Sequence, residues 1–213
     1  MTTLSNILSL KTYFNAEIIL ILGTVSLILL SLCKNADSTA GRKAFYATLV
    51  FLGLALAAVL CLPAQKSVGL FEGMMAYDAF GRFFRIFILL TAMVATLLAD
   101  KSYDLRATPK VEFYGFLLAL TLGLNIMCTA TNLLTVYLAI EMASIMSYVM
   151  TGYLSFGQLF SARSEEAGLK YVFYGGMASG VMIFGISAGC AASAAESVLP
   201  LLTASIDSSM TAW

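Results

Sequence analysis

One carboxyl group stands out by its surroundings. Glu141 lies inside the run Asn132-Leu-Leu-Thr-Val-Tyr-Leu-Ala-Ile-Glu141-Met-Ala-Ser-Ile-Met-Ser-Tyr-Val-Met-Thr-Gly152, which carries no other charge. An acid at bilayer depth costs about 2.5–3.5 kcal/mol of insertion free energy unless a partner or water offsets it. Acids kept in such places belong mostly to proton or ion relays. At helical spacing Tyr137, Ser144 and Tyr148 stand at i−4, i+3 and i+7 from Glu141 and share its face. Their hydroxyls could hydrogen-bond the carboxyl in either protonation state and hold water beside it. Burial favours the neutral form of a carboxyl and a nearby cation favours the charged form. A cation that moves would therefore switch it, which is what a proton pump needs. The plainer alternative is a structural carboxyl buried against another helix.

Fewer side chains compete for a chemical role elsewhere. Lys170 follows Glu166 by four residues and Glu165 by five; it reads either as a helix-end cation that snorkels to the cytoplasmic interface or as a group in proton entry. Asp78 and Arg82 are four apart at the mouth of a helix, with Arg85 one turn on, and the expectation is an interfacial Asp78–Arg82 salt bridge. Glu112 opens another helix, where a negative charge suits the N-terminus. The chain has no histidine, which removes histidine metal ligation, haem ligation through histidine and Ser-His-Asp chemistry. Cys33, Cys61, Cys128 and Cys190 are far apart, so no clustered thiolates are available for an iron–sulfur centre. They read as small apolar residues in helices. Phosphate-binding and dinucleotide motifs are missing.

These residues need helices in lipid to hold them. The 213 residues are 60% hydrophobic and 11% charged, with a mean hydropathy of +0.90; a soluble domain is nearer 45–50% and about 25%. Twelve basic and twelve acidic residues cancel, leaving no electrostatic case for nucleic acid. Spanning about 30 Å of hydrocarbon takes roughly 17–25 apolar residues. Six runs meet that length: 16–32, 44–62, 83–99, 113–131, 132–154 and 169–189. The class is all-α, a polytopic helix bundle. All three prolines lie outside these runs, as continuous spans prefer. The first run is followed by no small-residue cleavage site, so it reads as a span rather than a leader.

Loop charges orient the bundle. Lys34, Arg42, Lys43, Lys101, Arg106, Lys110 and Arg163 fall on one side, and Lys11 and Lys66 on the other, with Arg82 and Arg85 at a helix mouth. The positive-inside bias puts both termini on the non-cytoplasmic side. The fourth and fifth runs abut at Ala130-Thr131-Asn132, which makes them neighbouring antiparallel helices. In the sixth, Gly176 with Gly180 and Gly185 with Gly189 are spaced for close helix packing. After Gly189 the chain turns small and weakly apolar, too polar from Val198 onward to span again.

Four segments together resemble a known family: Asp78-Ala-Phe-Gly-Arg-Phe-Phe-Arg85, Glu112-Phe-Tyr-Gly-Phe-Leu-Leu, Thr131-Asn-Leu-Leu-Thr-Val-Tyr-Leu-Ala-Ile-Glu141 and Glu166-Ala-Gly-Leu-Lys-Tyr-Val-Phe-Tyr-Gly-Gly-Met-Ala-Ser179. They are similar to the antiporter-like chain N subunits of respiratory complex I, the proton-translocating NADH:quinone oxidoreductase. The resemblance implies a larger bundle built on inverted repeats. In it the glutamate that Glu141 matches, and a Leu-Lys-Tyr segment that Lys170 matches, belong to a proton path. It implies no redox centre in this chain; quinone, FMN and iron–sulfur clusters are expected in partner subunits, and other membrane subunits of the complex are the expected partners. On this reading residues 1–189 are an antiporter-like membrane domain and 190–213 a divergent tail. The family's lysine partner for the glutamate and its second repeat would come from a further segment or polypeptide. A bacterial plasma membrane is the expected location, an organelle's inner membrane the alternative. Two other functions stay open: a subunit of a cation/proton antiporter or membrane-bound hydrogenase, and a structural or assembly fragment without transport.

Overall fold

A computed structural model describes residues 13–33, 38–62, 68–101, 110–153 and 161–210. Six helices dominate: α1 (Asn15–Cys33), α2 (Ser38–Cys61), α3 (Ala79–Lys101), α4 (Lys110–Thr129), α5 (Leu133–Gly152) and α6 (Ser161–Met210). Each contains a stretch long and apolar enough to cross a membrane, and each expected run falls within or against one of them. Hydroxyl residues survive in these spans because they bond their own helix. Thr48, Thr96 and Thr121 are buried and donate to the carbonyls of Ala44, Ala92 and Leu117, one turn back.

Residues 13–172 form one unit around α4. That helix packs against α1, α2, α3 and α5. Leu20 and Leu27 of α1, Leu52 and Val59 of α2, Leu89 of α3 and Leu118 of α4 are fully buried in a single apolar core. Outward-facing Leu22, Val50, Phe87, Leu98 and Leu138 are exposed, as a surface bathed in lipid chains requires. The abutting fourth and fifth runs are α4 and α5. The Asn132 side chain caps α5 by accepting from the Leu134 amide at 3.0 Å. Gly123 makes their crossing close: a Cβ there would lie 3.0 Å from the Ala143 backbone nitrogen.

A short hairpin precedes α3, an addition to the helical class. Strands β1 (Val68–Leu70) and β2 (Met75–Tyr77) pair antiparallel, with Val68 opposite Tyr77 and Leu70 opposite Met75. Three-residue strands are too short to show a two-residue period in sequence. The hairpin is stitched to the α4–α5 connection by a Met75–Ala130 bridge, by the Thr131 amide donating to the Met74 carbonyl at 3.0 Å, and by the Thr131 hydroxyl on the Gly73 carbonyl.

Residues 173–210 form the second unit, the continuation of α6. The helix does not stop at Gly189. It runs on through Ala191, Ala192, Ala194 and Ala195, strong helix formers, and past Pro200, where the backbone ladder lacks one donor.

Candidate functional site

Two polar clusters sit at opposite ends of the first unit, with Glu141 between them in sequence depth. Glu141 is the ninth residue of the 20-residue α5. The helix meets α4 through Ala139 and Ala143. Glu141 stands two residues from each, roughly 200° around the axis, so it points away from that contact. It is half-buried, and its Oε1 is buried with no hydrogen-bond partner among the described residues. Tyr137, Ser144 and Tyr148 on the same face are also half-buried. The Tyr148 ring meets Tyr171 of α6 edge-on, centroids 4.7 Å apart. Next to Tyr171, Lys170 points outward, 65% exposed, and pairs with Glu166 one turn back. The structure thus brings the Glu141 face toward the Lys170 turn through two tyrosines, without a contact between the carboxyl and the ammonium.

At the cytoplasmic-side end expected from the loop charges, Glu112 in the first turn of α4 holds two other helices. Its Oε1 accepts from the Ser31 hydroxyl of α1 at 2.8 Å and its Oε2 from the Tyr153 hydroxyl at the end of α5 at 3.3 Å. Burial, and then the Glu112 charge, push the Tyr153 phenol well above its usual range. Glu112 is therefore a tie between helices as well as a helix-end charge.

The other end holds a cluster that sequence reading missed. Glu17, in the first turn of α1, and Arg85, in the second turn of α3, are 0% and 1% exposed, and Arg85 Nη2 donates to Glu17 Oε1 at 2.6 Å. The Tyr77 hydroxyl, at the end of β2, donates to the same oxygen at 3.2 Å. The guanidinium carbon lies 5.0 Å from the centre of the Tyr77 ring, a cation–π distance. The Tyr77 phenol is pushed far above its usual range, first by burial and then by Glu17, and Ile126 of α4 packs against Tyr77. Glu17 Oε2 and Arg85 Nε have no partner among the described residues.

This geometry corrects the reading of the α3 mouth. Arg85 is not an interfacial charge but a fully buried one, because α1 supplies a carboxylate opposite it. The expected Asp78–Arg82 bridge gives way to two separate roles. Asp78 Oδ1 caps α3 by accepting from the Gly81 amide at 2.7 Å, and Arg82 donates to the Leu60 carbonyl of α2 at 2.8 Å. Gly81 is needed there, since a Cβ would lie 2.8 Å from the Cys128 carbonyl oxygen. The available signal was Glu17 itself, an acid heading an apolar run just as Glu141 interrupts one.

No group of three or more metal-ligating side chains occurs among the described residues.

Known proteins resemble this chain in sequence. A family described as "NADH:quinone oxidoreductase/Mrp antiporter, TM" matches residues 130–210, which takes in α5 with Glu141 and all of α6. The chain is 36% identical over 181 residues to the NADH-quinone oxidoreductase subunit N of Anaeromyxobacter sp. (strain Fw109-5), covering 82% of this chain and 33% of the relative. It is 34% identical to subunit N 2 of Sorangium cellulosum, covering 87% of this chain and 37% of the relative. It is 32% identical to NAD(P)H-quinone oxidoreductase subunit 2 of Gloeobacter violaceus, covering 77% and 31%. The chain thus spans about a third of the length of the curated relatives it matches. With six helices long and apolar enough to cross a membrane, the chain is similar to the membrane proteins named subunit N of NADH-quinone oxidoreductase.

Proposed function

We propose that this chain takes part in proton translocation driven by quinone reduction, as a membrane component of an NADH:quinone oxidoreductase or of a relative using another electron donor. The observation that carries the reading is Glu141 Oε1, a buried carboxylate oxygen at mid-span with no hydrogen-bond partner among the described residues. An unpartnered buried acid is unfavourable in its charged form unless water or a cation reaches it. Proton gain and loss at Glu141 would then follow the approach and retreat of a lysine from a further segment or polypeptide. Tyr137, Ser144 and Tyr148 would line its route, and Lys170, on the cytoplasmic side, would feed it. FMN, iron–sulfur clusters and quinone would belong to partner subunits, and both termini would lie on the non-cytoplasmic side of a bacterial plasma membrane.

Glu141→Gln in the intact assembly tests this. Reduced proton pumping with the complex still assembled is expected; pumping at the wild-type level would overturn it. The family description also covers antiporters. Sodium-dependent transport without quinone chemistry would move the assignment there, and normal pumping with the chain deleted would leave only a structural role.

A further inference from the structure

The mechanism above leaves the Glu17–Arg85 cluster unused, although it holds a fully buried carboxylate and a fully buried guanidinium. Three polar atoms near one end of the bundle lack partners among the described residues: Glu17 Oε2, Arg85 Nε and Asn125 Oδ1. The first two belong to the ion pair. Asn125 is next to Ile126, which packs against Tyr77 of that same cluster. Thr121, Asn125 and Thr129 form a buried polar stripe along α4, four residues apart and 1%, 0% and 2% exposed. The Asn125 amide donates to the Thr121 carbonyl, so its oxygen is the stripe's open acceptor.

Gly123, on the α5-facing side of α4, is two residues from both Thr121 and Asn125, roughly 200° away. The stripe therefore runs on the side of α4 turned from α5 and Glu141. A buried donor and two buried acceptors are the set a water molecule satisfies, since it donates twice and accepts twice, and interior waters typically make about three hydrogen bonds to such groups.

We propose that the Glu17–Arg85–Tyr77 cluster is an internal water-binding site and a second proton-exchange site, separated from Glu141 by α4. It rests on the reading of the chain as part of a proton pump. A proton reaching the site on water passes to Glu17 Oε2, leaving neutral water and a neutral carboxyl. Its release to water restores the carboxylate, which Arg85, charged throughout, and the Tyr77 hydroxyl hold in place. The Asn125 oxygen positions water one turn deeper along α4.

Two measurements decide it. High-resolution imaging of the intact native complex should show ordered water within hydrogen-bonding distance of Glu17 Oε2 or Arg85 Nε; both atoms bonded to protein groups instead would overturn the site. In the same complex the double variant Glu17→Gln with Arg85→Met removes both charges together and so avoids stranding either one. Protons moved per quinone reduced should fall below the wild-type value while quinone reduction continues. An unchanged ratio would overturn proton exchange at this cluster. Glu141→Gln measured alongside separates the two ideas: loss there with an unchanged double variant removes only the Glu17 site, and no loss in either removes both.

Discussion

Glu17 and Glu141 are the same functional group placed in two different ways. Glu17 meets a cation inside its own unit, with an aromatic ring under the guanidinium and a phenol on the shared oxygen. Glu141 meets no hydrogen-bond partner at Oε1 among the described residues and points away from the α4 contact at Gly123. The paired acid ties the ends of α1 and α3 and the hairpin together. The open acid contributes no such tie at Oε1. How much structure depends on a buried carboxylate is thus set by what stands opposite it.

The sharpest way to break that contrast is Arg85→Ala. It strands Glu17 in the interior and should cost about 3–5 kcal/mol, seen as a large fall in melting temperature in detergent or loss of the assembled complex. Glu141→Gln strands nothing and should leave the melting temperature close to wild type. Equal destabilisation by the two variants would erase the distinction.

A smaller effect tests the frame that holds Glu141 away from α4. Gly123→Val drives a side chain into the α5 backbone and should cost about 1–3 kcal/mol, read from the same thermal scan. Tyr77→Phe removes one hydrogen bond to a charged oxygen and keeps the ring over Arg85. A loss of about 1.5–3 kcal/mol is expected, and no loss would mean that Arg85 alone holds Glu17. Last comes Lys170→Ala, which breaks an exposed i,i+4 pair and should leave the melting temperature unchanged. Any effect should therefore appear in proton uptake from the cytoplasmic side.

Much of this arrangement was legible in sequence, and unevenly so. Six spans were visible because lipid requires long uninterrupted apolar runs, and the α4–α5 turn was visible because two such runs abut. Glu141 was visible because nothing near it in sequence is charged. Arg85 was misplaced for the opposite reason: beside Asp78 and Arg82 it looked like one more interfacial charge. The hairpin escaped notice because strands of three residues make no pattern, and the extension of α6 because a small, weakly apolar tail still has strong helix propensity in its alanines.

The amino-acid sequence by itself determined the helical class, the six runs long and apolar enough to span, and the presence of an acid within one of them. Each follows from local composition measured against the thickness and polarity of the bilayer. Only the tertiary structure decided which acid has a cation opposite it. Glu17 and Arg85 are 68 residues apart in the chain and 2.6 Å apart in space, and no local pattern records a meeting made by packing α1, α3 and the hairpin together.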